Sequence, residues 1–169
     1  MKTLIKILAS GMLCGACFST QLLATDNIGK YAAEIPGIGL ISDSIEFEGI
    51  TISQFSFEND KKYIFVKPGE AFSARMHYSI DADALKALHR HHLIIGLHND
   101  GPQECILHCY GILDAEGDAC VTMKAPAKPG AYQVRFCHSI GLTDEEAQKA
   151  WWKGDGPSAK TIVGIVVVE

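Results

Sequence analysis

Lys67-Pro68-Gly69 and Lys128-Pro129-Gly130 each lead into a run whose apolar residues alternate with polar ones. After the first come Phe72, Ala74, Met76, Tyr78 and Ile80, interleaved with Ser73, Arg75, His77 and Ser79. After the second come Tyr132, Val134 and Phe136, interleaved with Gln133 and Arg135. A period of two is that of an extended strand with one buried face. Proline presets φ at the second position of a turn, and glycine accepts positive φ at the third. A tyrosine delivered into a strand by such a turn suits antiparallel β-sandwiches, where it ties the corner down.

The same reading places strands at Ile45–Glu48, Ile52–Glu58, Tyr63–Val66, Leu93–His98, Glu104–Leu113 and Asp118–Met123. Thr161–Val168 is β-branched almost throughout and is the firmest of them. Glu104–Leu113 and Asp118–Met123 read as a hairpin around Asp114–Gly117, and Asn99–Pro102 as a turn. Asp26–Ser44 reads as a lead-in with one short helical turn before Pro36, and Asp81–His92 as a short helix or helical loop. Thr143-Asp144-Glu145-Glu146 has the form of a capping box, opening a helix to about Trp152 with Ala147, Ala150 and Trp151 facing in. The profile is an antiparallel immunoglobulin-like β-sandwich with one or two short helices. It forms one domain over 45–169, after a lead-in at 25–44.

The opening Met1–Ala24 has a charged start, an apolar run at Ile7–Phe18 and a small residue at Ala24, the pattern of a cleaved signal peptide. Cleavage before Cys17 would give a lipid-anchored product instead. Losing residues 1–24 removes Lys2 and Lys6 and no acid, taking the net charge from −5 to −7. An acidic chain without a basic run argues against nucleic acid and anionic membrane surfaces, and no stretch is long and apolar enough to span a bilayer. The expected location is periplasmic or secreted. Cys105, Cys109, Cys120 and Cys137 then read as two disulfides with three possible connectivities. Cys105 and Cys109 lie about 13 Å apart if extended, too far to bond. The hairpin reading favours Cys109–Cys120 and Cys105–Cys137.

Several phrases together resemble an uncharacterised extracellular β-sandwich domain of exported bacterial proteins. They are A-P-x-x-P-G before Tyr132-Gln133-Val134, A-x-x-x-W-W at Ala147–Trp152, the closing T-I-V-G-I-V-V-V, and Ile94-Ile95-Gly96-Leu97 followed by Cys105 and Gly111-Ile112. The resemblance covers about residues 66–168. It implies the fold and carries no catalytic motif.

His89-Arg90-His91-His92 is the most unusual local feature. Clustered imidazoles suit Zn²⁺ or Cu²⁺. In a loop, two of His89, His91 and His92 can grip one ion, with Met76 or His77 as further donors; in a strand, His91 and His92 cannot share a face. The bland alternative is a polar loop. His98 falls at the far end of the following strand. Cys137-His138 has the makings of an activated thiol, although a bridged cysteine fits an oxidising compartment better. Asp114, Glu116 and Asp118 lack the glycine and terminal glutamate of a calcium loop. Trp151 and Trp152 offer a ligand platform if exposed, or a core plug if not. No nucleophile elbow, zinc-protease helix or phosphate loop is present in the sequence. The leading expectation is therefore a non-catalytic binding module at the cell envelope, stapled by disulfides and with no cofactor. The alternatives are a periplasmic Zn- or Cu-binding protein using His89, His91 and His92, and a thiol redox protein using Cys105–Cys109 or Cys137.

Overall fold

In the computed structural model, residues 33–35, 39–81, 90–110, 116–140, 143–149, 151 and 157–169 are described. In chain order the strands are β1 (Ala33–Ile35), β2 (Gly39–Ile41), β3 (Ser44–Phe47), β4 (Ile50–Phe57), β5 (Tyr63–Val66), β6 (Ala71–Ile80), β7 (Arg90–Leu97), β8 (Gly101–Tyr110), β9 (Glu116–Lys124), β10 (Gly130–Ile140) and β11 (Ile162–Val168), with a helix α1 (Asp144–Lys149). Five strands form one sheet in the order β5-β11-β10-β7-β8, and four form another in the order β3-β4-β6-β9.

Both Lys-Pro-Gly turns behave as the residues require. Gly69 has φ +75°, open to glycine at no steric cost, and the Glu70 N–H donates to the Lys67 carbonyl at 3.1 Å. At the second turn the Tyr132 hydroxyl donates to the Lys128 carbonyl at 2.9 Å, tying the corner four residues back. The alternating faces of β4, β6 and β9 meet those of β5, β7, β10 and β11 across one core, which holds Ile52, Phe57, Phe72 and Met76 from one sheet and Leu93, Ile95, Phe136 and Val166 from the other. The chain is thus mostly β, with two sheets packed face to face.

β7 from Leu93 onward, and β11, are apolar on both faces because both sides of the five-stranded sheet are covered there. Beyond the shared core, Ile94 packs against Ala147 and Trp151, with Cys105 and Cys137 at the margin. Ile165 packs against Ile41, with Ile45, Tyr63 and Ile162 around them.

In the lead-in, Ala33–Ile35 and Gly39–Ile41 pair as β1–β2; the rest of the stretch expected to hold a helical turn before Pro36 lies outside the described residues. Three expectations are corrected. β5 joins β11 in parallel, so the sandwich is not antiparallel throughout. β8 and β9 do not form a hairpin ladder: β8 pairs with β7 and β9 with β6, in opposite sheets. β7 begins at Arg90, so His91 and His92 are successive strand residues rather than part of a loop.

Candidate functional site

His92 lies near the start of β7, on the outer face of the five-stranded sheet beneath α1, and is 1% exposed. Register places Ser139 of β10 beside it. Two residues along, Ile94 has Cys137 on one side and Cys105 on the other. Directly opposed residues present their side chains to the same face.

Cys105 reaches this face because of a bulge. Leu93 opposes Leu107, but Ile94 opposes Cys105 rather than Ile106. One extra residue in β8 therefore shifts the alternation. Without it, Cys105 would oppose Ile95 and point into the core between the sheets. With it, the thiol comes to 3.7 Å from His92 Nδ1.

The third member comes from α1. The Thr143 hydroxyl accepts from the Glu146 N–H at 3.2 Å, the helix cap expected from this stretch. The next residue, Asp144, brings its carboxylate to 3.3 Å from the same His92 Nδ1, with its side chain half exposed. The donor atoms of His92, Cys105 and Asp144 all lie within 4.8 Å of one another.

The electrostatics keep the thiols neutral here. Burial pushes the Cys105 thiol up to about 11, and the neighbouring Asp144 charge adds to this. Burial likewise pushes Cys137 up to about 12, helped by Cys105 and Glu48. A nucleophilic cysteine needs the opposite shift. It also needs a histidine that touches thiol and carboxylate through different ring nitrogens, whereas here both approach Nδ1. Convergence on one point suits a shared cation. In a tetrahedral zinc site the usual bond lengths put nitrogen about 3.3 Å from oxygen and about 3.6 Å from sulfur. The spacings here are 3.3 Å and 3.7 Å.

The other expected site residues separate. Of the histidine cluster, His89 and the side chain of His91 lie outside the described residues. Met76 is buried in the shared core and His77 contacts Asp118 at 2.9 Å in the four-stranded sheet, so neither joins His92. Cys120 and Cys137 are free thiols. The Cys105–Cys137 pairing is corrected: β7 runs between them, giving a Cα separation of about 10 Å, beyond the roughly 7 Å a disulfide tolerates. Cys109–Cys120 loses the hairpin it rested on, because Cys120 opposes Arg75 in the other sheet; the side chain of Cys109 is outside the described residues. Cys137 and His138 point to opposite faces of β10, and register sets His138 against Leu93. Trp151 is 1% exposed and offers no platform, and Trp152 is not among the described residues.

Asp144 had only a capping role in the sequence, and Cys105 a bridging or redox one. The acidic residue inside T-D-E-E was the visible signal, but nothing local told which strand it would face. No family model, curated protein or solved structure matches this chain.

Proposed function

We propose that this protein is a non-catalytic binding module whose ligand is a divalent transition metal, Zn²⁺ foremost, held by His92, Cys105 and Asp144. The observation that supports it is the approach of an imidazole nitrogen, a thiol sulfur and a carboxylate oxygen within 4.8 Å. Each is an accepted zinc donor. Thiolate and carboxylate together neutralise a divalent ion, so the buried site carries no net charge; Cu⁺ would leave it negative. Bound metal also deprotonates the coordinating thiol, overriding its raised pKa. The half-exposed Asp144 gives the ion its way in. The signal-like Met1–Ala24 supports a place in the periplasm or outside the cell, where a metal would also shield the thiol from oxidation.

The test is metal content and calorimetry on protein purified without a tag. We expect one Zn²⁺ per chain, with affinity lowered about 100-fold or more in His92→Ala and Cys105→Ser, and unchanged in His77→Ala. Absence of uptake by the wild type, or undiminished affinity in His92→Ala, refutes the proposal.

A further inference from the structure

Arg135 is a buried cation that no carboxylate balances among the described residues. It is 8% exposed. Its neighbours Val134 and Phe136 fill the shared core, so Arg135 belongs to the outer face of β10. It opposes Gly96, four residues and about 13 Å along the ladder from the level of His92. A guanidinium carries five N–H donors. The Nε–H and one Nη2–H go to the Gln133 side-chain carbonyl, the first at 2.9 Å, and one Nη1–H goes to the Pro157 carbonyl at 2.6 Å. Both acceptors are neutral oxygens. One N–H on each terminal nitrogen is left without an acceptor among the described residues. Burial lowers the Arg135 pKa, and no neighbouring acid offsets this. A buried charge is ordinarily paired, because leaving water alone is costly.

His98 is a second unmet group beside it. Its backbone N–H donates to the Gln133 backbone carbonyl at 2.9 Å, so His98 and Gln133 share the outer face. The His98 Nδ1 is buried without a hydrogen-bond partner among the described residues. Burial, and then the Arg135 charge, lower the pKa of this ring and keep it neutral. With a neutral His98, one negative charge balances the site and a dianion would overshoot. Two terminal N–H groups of a guanidinium serve both oxygens of one carboxylate, and an Nδ1–H imidazole donates to the same group. We infer that Arg135 and His98 form a binding site for the carboxylate of a small organic acid, held by the two remaining Nη–H groups. The site is separate from His92, Cys105 and Asp144 and does not rest on the metal-binding reading.

Acetate is the probe, exchanged for chloride at constant ionic strength and read by the ¹⁵N amide resonances of Gly96, His98, Gln133 and Arg135. The wild type is expected to give one saturable set of shifts with acetate and none with chloride. Arg135→Lys keeps the charge but loses the fork, so its acetate affinity should fall about 10-fold or more. His98→Ala should weaken binding about 5-fold, and His77→Ala should bind as the wild type does. No saturable response in the wild type, an equal response to chloride, or undiminished affinity in Arg135→Lys overturns the inference. Circular dichroism checks the fold of each variant; if Arg135→Lys does not fold, undiminished affinity in His98→Ala overturns it instead.

Discussion

Replacing Trp151 by alanine should strike the fold and the site at once. The indole is 1% exposed and packs with Ala147 against Ile94, the residue flanked by Cys105 and Cys137. A buried tryptophan hides about 150–250 Å². At about 25 cal/mol per Å² that is roughly 4–6 kcal/mol. Residual burial in the unfolded chain and the retained Cβ reduce it, leaving about 3–4 kcal/mol, within the range seen for large aromatic truncations. With a urea m-value of about 2 kcal/mol per M, the midpoint followed by circular dichroism should fall by about 2 M. The same variant loosens α1 and so Asp144, so Zn²⁺ affinity should fall with it. Trp151→Phe should recover about half the stability. A midpoint shift under about 0.5 M with an unchanged m-value would refute the packing of this helix on β7.

Gly96→Ala should cost about 3 kcal/mol, because its Cβ would meet the backbone of Gly101, Pro102 Cα at 2.7 Å and Gln103 N at 3.0 Å, none of which can rotate away; a thermal shift under 2 °C contradicts this. Lys62 is 3% exposed and its amine donates to the Ser42 carbonyl at 2.8 Å. Burial, partly opposed by Asp43, lowers its pKa from 10.5 to about 8. Between those values the unfolded chain holds the proton that the folded one has shed, so this group makes stability rise with pH. The wild type should therefore gain on Lys62→Met by about 3 kcal/mol from about pH 7 to about pH 10.5. The raised thiols of Cys105 and Cys137 act in the opposite sense above their ordinary value of 9.0, but equally in both proteins, so the difference cancels them. Parallel pH profiles from urea melts would rule out a buried Lys62 amine.

Local chemistry announced most of the elements and few of their neighbours. Tyr63–Val66 appears as a strand with those bounds, and Tyr132 ties its corner, because alternation and turn residues act within a few positions. Partner choice is decided elsewhere. β8 follows β7 and pairs with it, but β9 crosses to β6 because Val121 and Met123 bury against Phe72 and Met76 in the shared core, a demand no short window records. The bulge at Ile106 is a single residue, invisible to a period-two count, yet it turns Cys105 from the core to the outer face. Once β7 lies between Cys105 and Cys137, the expected bridge becomes a pair of flanking thiols. His92 stood out in the sequence for its neighbours in the chain; its importance comes from Asp144, fifty-two positions away and carried there by a capped helix.

X-ray absorption at the zinc edge of the loaded, untagged protein tests the account most directly. One sulfur at about 2.3 Å with nitrogen and oxygen neighbours at about 2.0 Å in a four-coordinate shell, losing its sulfur in Cys105→Ser, is the predicted result. A shell of nitrogen and oxygen alone in the wild type would contradict it.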